Sequence, residues 1–410
     1  MGTLTNKRIL LGVSGGIAAY KSADTVRRLR EMGAEVRVIM TRGAGSFITP
    51  LTLQAVSGHP VYQQLLDTDA EAGMGHIELA RWGDAVLVAP ASANFLARLA
   101  QGRADDLLTA VCLATEAPVA VAPAMNRQMW NNAATKANLA TLQKNGVRIF
   151  GPGEGSQACG EVGPGRMLEP ADLAGRTSEL FSTGVLDGLH VVLTAGPTWE
   201  AIDPVRGLTN RSTGKMGYAL AAAAMEAGAS VTLVSGPTSL PDPERVRTLR
   251  VESAQEMYDA VLAHVSSAEI FIAVAAVADY RPVTRASEKA KKSAERISLE
   301  LVRNPDILAS VAELKPAPYL VGFAAETEQL EQNARRKLEE KKIDLIAANR
   351  VGADLGFESD DNSLLLIGRH GVTTLTAQPK TRLARSLIQY IAERYHAERR
   401  DQNSRQAHRR

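Results

Sequence analysis

At 410 residues the chain is long enough for two or three domains, each with a core of its own. Its 47 Lys and Arg nearly balance 45 Asp and Glu, and the net charge of +2 argues against a dedicated nucleic-acid or acidic-membrane binder. Two cysteines rule out a disulfide scaffold, no basic segment followed by an apolar core opens the chain, and the longest apolar run (270–278) is half a membrane span at most; the expectation is a cytoplasmic protein.

The first half alternates short β-branched runs with helical patterns. Arg8 to Val13 reads as a strand, followed by a Gly-rich turn and a helix from about Ile17 to Met32 that ends at Gly33. Strands follow at Glu35 to Met40, Ala85 to Ala89, Val119 to Ala122 and Val147 to Phe150. Such alternation predicts a parallel sheet covered by helices on both faces, with ligands beyond the carboxyl ends of the strands.

The pattern then restarts. Gly184 to Gly188 reads as the linker, Leu189 to Leu193 as a strand, and Lys215 to Ala227 as an Ala-rich helix closed by Gly228. Further strands are expected at 229–234, 270–274, 319–323, 345–348 and 364–367. Two α/β domains result, 1–188 and 189–396, and the polar, Arg-rich stretch 397–410 is expected to be a disordered tail.

The residues that suggest chemistry cluster at the expected strand ends. The loop 12–17 (GVSGGI) matches neither the dinucleotide fingerprint nor the P-loop. It reads either as a plain tight turn or as a cradle in which backbone N–H groups and the Ser14 hydroxyl bind one phosphate at a helix N-terminus. Thr41, the run 89–94 (APASAN) and the run 122–126 (APAMN) belong to the same edge, where small side chains leave room for a flat ligand. His76 opens a helical run, HIELARW, after a glycine-flanked loop; a lone histidine of this kind is as a rule structural. Cys112 lies in an apolar run and reads as core, whereas Cys159 sits in the glycine-rich stretch 151–167 (GPGEGSQACGEVGPGRM), where no apolar periodicity explains it. Its surroundings suit a flap able to swing over a bound substrate.

Taken in order, SGGIAAYK at 14–21, HIELA at 76–80, APASAN at 89–94, ADDLL at 104–108, PAMN at 123–126 and ACGEVGPGRM at 158–167 resemble the flavin-dependent cysteine decarboxylases, above all the bacterial phosphopantothenoylcysteine decarboxylases. The resemblance implies a flavodoxin-like parallel-sheet flavoprotein domain that binds FMN between the subunits of a trimer. It implies that Ser14, Gly15, Gly16, Thr41, Ser92 and Asn94 bind FMN, that His76 is a base, and that Asn126 holds the substrate carboxylate. The chemistry needs such a set. An α-amido carboxylate gives up CO2 poorly, because the carbanion left behind has no sink. Oxidation at the cysteine β-carbon creates a thioaldehyde that serves as one, and an acid must later protonate the neighbouring carbon. Cys159 on its flap is the candidate for that acid.

In the second half, 193–198 (LTAGPT) leads through Arg206 to 210–217 (NRSTGKMG), again a polar loop entering a helix. An apolar strand then ends on 273–280 (AVAAVADY). Lys289, Lys291 and Lys292 follow, then 304–308 (NPDIL), 322–327 (GFAAET), and Lys337 and Lys341, four apart on one helix face. Alone, such lysines read as a solvated surface. In order, these segments resemble the CTP-using bacterial phosphopantothenate–cysteine ligases, a second Rossmann-like α/β domain, and the two likenesses together span about residues 6 to 395. That resemblance implies a CTP site of Ala273, Val274, Ala275, Asp279, Lys289, Pro305, Asp306, Ile307, Leu308, Phe323, Lys337 and Lys341, with Asn210 and Lys289 catalytic. Magnesium would bridge the nucleotide phosphates without direct side-chain ligands. The implied substrates are 4'-phosphopantothenate, cysteine, CTP and phosphopantothenoylcysteine. A trimeric decarboxylase half joined to a dimeric ligase half implies a dodecamer. The rival readings are a flavin-binding regulatory protein of the same fold, against which His76, Asn126, Cys159 and a complete second half all stand, and a peptide-cysteine decarboxylase or a flavin prenyltransferase, neither of which needs the second half.

Overall fold

The computed structural model describes residues 4–5, 7–65, 75–289, 298–326, 329–350, 361–369 and 371–407. These fall into two compact units, 1–181 and 182–410. The division precedes the expected boundary because Leu186, inside the expected linker, is buried in the core of the second unit.

The first unit is built on six parallel strands: β1 (Arg8–Val13), β2 (Glu35–Met40), β3 (Val61–Tyr62), β4 (Ala85–Ala91), β5 (Val119–Pro123) and β6 (Arg148–Ile149), in the order β3-β2-β1-β4-β5-β6. Apart from the two-residue edge strand β3, this is the 2-1-3-4-5 order of flavodoxin-like folds, and its switch point lies between β1 and β4. Both faces of β1 are covered, so Ile9, Leu10, Leu11 and Val13 form an unbroken apolar run rather than an alternating one. Helices α1 (Lys21–Glu31), α2 (Pro50–Ser57), α3 (Gly75–Trp82), α4 (Ala93–Ala100), α5 (Leu107–Ala114), α6 (Arg127–Asn131), α7 (Ala133–Lys144) and α8 (Pro170–Glu179) complete the layers. Val26 and Leu29 of α1 and Leu173 of α8 pack on one face, and Phe95, Leu96, Leu108 and Leu139 on the other. The helix expected from Ile17 begins as a 3-10 turn (Ile17–Tyr20) and becomes α-helical at Lys21. The glycine-rich stretch around Cys159 is not irregular: β7 (Gly153–Ser156) and β8 (Val162–Arg166) pair as an antiparallel hairpin.

The second unit is built on an eight-stranded sheet: β9 (His190–Ala195), β12 (Ser230–Ser235), β13 (Arg247–Arg250), β14 (Ile270–Ala273), β17 (Tyr319–Glu326), β18 (Leu345–Arg350), β19 (Asp361–Gly368) and β20 (Gly371–Pro379). Two short hairpins, β10 (Trp199–Ala201) with β11 (Gly207–Thr209) and β15 (Tyr280–Pro282) with β16 (Leu301–Arg303), stand apart from the sheet. In the run β13-β12-β9-β14-β17-β18 the strands are parallel and follow the 3-2-1-4-5-6 order of a doubly wound fold; β19 and β20 extend it antiparallel. Helices α9 (Lys215–Glu226) and α13 (Lys380–Ala407) cover one face through Leu220, Leu387 and Ile391. Helices α10 (Ala254–Val265), α11 (Ile307–Ala312) and α12 (Leu330–Lys341) cover the other through Met257, Val261, Val311 and Ala334.

The expectation of a disordered tail from 397 is corrected, since the backbone of α13 stays helical to Ala407. Its first half is nucleated by core packing up to Tyr395, and each further residue of a Glu-, Arg-, Gln- and Ala-rich stretch then adds at little cost.

Candidate active sites

In the first unit, the switch point brings the expected cofactor loops together. The Ser14 hydroxyl is buried; it donates to the Pro90 carbonyl at 2.8 Å and accepts from the Ser92 N–H at 2.9 Å, so it ties the end of β1 to the end of β4. Ser92 accepts from the Phe95 N–H as the N-cap of α4, and Asn94 is exposed on that helix's first turn. Thr41 closes the edge just beyond β2, its N–H donating to the Val13 carbonyl. A β-carbon on Gly15 would stand 2.9 Å from the Gly43 carbonyl carbon, so the two loops approach closely enough to require glycine. The ideal β-carbon direction at Gly16, by contrast, meets nothing within 4 Å. This edge therefore offers small side chains, hydroxyl and amide groups and backbone room, which fits a planar cofactor carrying one phosphate.

Asn126 and Cys159, 33 residues apart, meet at the hairpin. Asn126 caps the short helix α6, its Oδ1 accepting from the Gln128 N–H at 2.7 Å. With that oxygen committed, Nδ2 faces the hairpin tip, where it lies 2.8 Å from Glu161 Oε2 and 3.4 Å from both Gln157 Oε1 and Cys159 Sγ. The hairpin is laid along the 125–127 loop. The Met125 N–H donates to the Gly165 carbonyl, the Arg127 N–H to Gln157 Oε1, and the Arg127 guanidinium to the Val162 carbonyl. A side chain at Gly165 (φ +135°) would run into the Met125 carbonyl, so close approach to this loop, as well as flexibility, calls for glycine in the flap.

The two thiols sit in opposite settings: Cys159 is exposed on the tip, whereas burial in the α5 core pushes the Cys112 thiol up to about 12. His76 is half-buried in the first turn of α3 and, among the described residues, makes no hydrogen bond to Asn126 or Cys159. The ADDLL segment is architectural in this fold: Asp106 and Thr109 form a capping box on α5, and Arg98 pairs with Asp105 and Asp106.

In the second unit, a cavity of about 650 Å³ opens at the switch point between β9 and β14. Ala273, Val274, Ala275 and Asp279 line it from the end of β14, Pro305, Asp306, Ile307 and Leu308 from the start of α11, Phe323 from β17, and Lys337 and Lys341 from α12. Thr194 Oγ1 accepts from the Val274 and Ala275 N–H groups at 3.2 Å each, holding that segment open along the floor. The N-terminus of α9 enters the cavity with Gly214 in the left-handed region (φ +78°). Lys341 Nζ pairs with Asp306 at 3.1 Å. Asn210 is exposed at the rim and donates to the Ala276 carbonyl at 2.9 Å. Lys289 is exposed beyond β15, on the arm joining β15 to β16; Lys291 and Lys292 lie outside the described residues.

A family model described as Flavoprotein matches residues 1–182, and one described as DNA/pantothenate metabolism flavoprotein C-terminal domain matches residues 186–395. The coenzyme A biosynthesis bifunctional protein CoaBC of Vibrio vulnificus is 56% identical over 395 residues, 95% of this chain and 98% of its own length. The Escherichia coli protein of that name is 53% identical over 399 residues, 96% of this chain and 98% of its own. That of Bacillus subtilis is 47% identical over 373 residues, 90% of this chain and 92% of its own. The chain belongs to this family. It is thus a bifunctional enzyme of coenzyme A biosynthesis whose first half is a flavoprotein domain.

Against that family background, two groups escaped the motif reading. Gln157 and Glu161 face Asn126 only because the hairpin pairs them across the tip, and nothing in the spacing of the run sets Glu161 apart from Glu154. Arg303 and the buried Lys380 line the second cavity from a hairpin and a helix start that have no motif of their own.

Proposed function

We propose that the second unit ligates 4'-phosphopantothenate to cysteine at the expense of CTP, and that the first unit decarboxylates the resulting phosphopantothenoylcysteine with FMN. The observation that carries this reading is the meeting of Asn126 with Cys159 under the hairpin, since it joins a neutral donor for a carboxylate to a thiol acid. When bound, FMN supplies the reversible two-electron oxidation of the substrate cysteine that makes loss of CO2 possible. The 15–16 backbone, Thr41, Ser92 and Asn94 hold it, with Ser14 fixing the loops. Asn126 orients the substrate carboxylate through Nδ2, and His76 takes a proton. Cys159 returns one to the carbon that CO2 leaves, while the hairpin excludes water. The net reaction, phosphopantothenoylcysteine plus a proton to phosphopantetheine plus CO2, is redox-neutral. Binding between subunits of a trimer fits the lack of a hydrogen bond between His76 and Asn126 among the described residues of one chain. Exposed Ile17, Tyr20 and Leu51 offer apolar surface for such contacts.

In the second cavity, Lys337, Lys341 and the Lys289 arm balance the charge that builds as an acyl-cytidylate forms and pyrophosphate leaves. Ala273, Val274, Ala275 and the 305–308 turn hold the nucleotide, and Asn210 hydrogen-bonds the intermediate without a competing charge. We assign magnesium to the CTP phosphates, the assembly to a dodecamer of trimeric and dimeric halves, and the enzyme to the cytoplasm; among the described residues no helix is long and apolar enough to cross a membrane. The test is to mix the purified protein with phosphopantothenate, cysteine, CTP and magnesium. Phosphopantetheine, CO2, CMP and pyrophosphate are expected. Pyrophosphate without CO2 would refute the first-unit reading, and ATP serving as well as CTP would refute the nucleotide assignment.

A further inference from the structure

The contacts of Asn126 leave one strong interaction without a task. Its Oδ1 is held by the Gln128 N–H, which stops the amide from flipping. Three acceptors then surround the two Nδ2 protons: Gln157 Oε1 and Cys159 Sγ at 3.4 Å, and Glu161 Oε2 at 2.8 Å. Only the last is short and made to a carboxylate oxygen, so it is the strongest bond between the tip and the Asn126 amide. Among the described residues Glu161 has no cationic partner, so its anchoring depends on this amide. Gln157 is fixed from the other side: its Oε1 accepts from the Arg127 N–H at 3.0 Å and its Nε2 donates to the Pro164 carbonyl at 3.1 Å. The Gln157 N–H also donates to the Glu161 carbonyl at 2.7 Å, so the two residues bracket the exposed turn Ala158–Gly160 that carries the thiol.

We propose that Glu161 is a positioning residue of the decarboxylase site: its carboxylate latches the hairpin tip to Asn126 and thereby sets where the Cys159 thiol stands relative to the group that holds the substrate carboxylate. Gln157 supplies a fixed post and Glu161 the closing bond. The thiol, a weak acceptor, is carried to its place by the turn between them. This deepens the proposed function and rests on its assignment of Asn126 and Cys159. The latch governs the last proton transfer more than carbon dioxide loss, because only that step needs the thiol.

The full-length protein carrying FMN is assayed for CO2 and phosphopantetheine from phosphopantothenoylcysteine, with E161A, E161Q and E161D beside wild type; flavin content and ligation check the fold. E161A is expected to lower phosphopantetheine formation by about tenfold or more, as for loss of a charge-assisted hydrogen bond. Its CO2 release should fall less, so that an enethiol product appears with one equivalent of flavin left reduced, to be reoxidised by dissolved O2 between turnovers, and KM is little changed. E161Q, which keeps an acceptor within reach, should recover most of the activity, and E161D less because it is one methylene short. A merely structural role would depress both products together, and that result overturns the proposal, as does wild-type partitioning in E161A. Asn126→Asp and Cys159→Ser run in parallel separate the two levels. If they are impaired while E161A is not, the latch alone is wrong; if all behave as wild type, the site assignment falls and the latch with it.

Discussion

Replacing Asn126 by Asp changes one atom and inverts one interaction. The cap on α6 survives, because Asp accepts from the Gln128 N–H as well as Asn does, so folding of the unit should be untouched. At the hairpin the effect is opposite. The Nδ2 donor 2.8 Å from Glu161 becomes a second carboxylate oxygen. The charge-assisted bond lost there contributes about 1.5–3 kcal/mol. Two like charges about 3 Å apart in this half-exposed setting add a repulsion of roughly 3 kcal/mol, taking an effective dielectric of about 40. Rotation of the new carboxylate relieves part of the sum, which leaves on the order of 3 kcal/mol against the closed tip, about a hundredfold in rate. Repulsion of the substrate carboxylate acts in the same direction. The expected outcome is phosphopantetheine formation at least about a hundredfold slower, with CO2 release slowed as well through the repelled substrate carboxylate, while ligation, followed through pyrophosphate, is unchanged and melting stays within about 2 °C of wild type. Phosphopantetheine formation near the wild-type rate, or ligation falling with it, would refute the reasoning.

Three further outcomes follow from the same geometry. Iodoacetamide at pH 8 should label Cys159 rapidly and leave Cys112 unlabelled until the protein unfolds, because burial holds the latter thiol near 12 and away from solvent; peptide mapping of a time course reads this directly. Phe271→Ala, at a fully buried position between β14 and the α10–α11 layer, should destabilise the second unit by about 3–5 kcal/mol, seen as a lower calorimetric transition, with flavin retained. Lys341→Ala removes both a cavity cation and the partner of Asp306; ligation should slow by about tenfold or more, while decarboxylation of supplied phosphopantothenoylcysteine continues unchanged.

The central strands were legible because burial on both faces leaves continuous apolar runs, as in β1 and β4, bounded by glycine or polar turns. The strands that escaped lack that signal. β20 reads GVTTLTAQP, a polar edge strand with one face exposed, and β3 has only two residues. The 397–407 extension was misjudged for a related reason: absence of apolar periodicity shows that a segment packs on nothing, but a helix already nucleated upstream continues through it. The site divides in the same way. Motifs marked Asn126 and Cys159 separately, but their contact depends on the hairpin register and on the bond from Met125 to Gly165, neither of which has a local sequence signature. The lysines 337 and 341 were readable from spacing as one helix face; that the face shares a site with the β14 and α11 turns came from the resemblance alone, since no local pattern links segments so far apart in the chain.

The stitching of the hairpin to the 125–127 loop has a consequence for which part of the flap can move. Bonds from Met125 and Arg127 hold Gly165, Val162 and Gln157 in place, so most of the inner edge cannot lift without breaking them. What remains movable without that rupture is the exposed turn Ala158–Gly160. Motion of the flap is then confined to the segment that carries the thiol, and the strands on either side of it serve as a fixed frame. Ala158 and Gly160 flank Cys159 in that segment, so their size and backbone freedom set how far the thiol can travel without disturbing the hairpin beneath it.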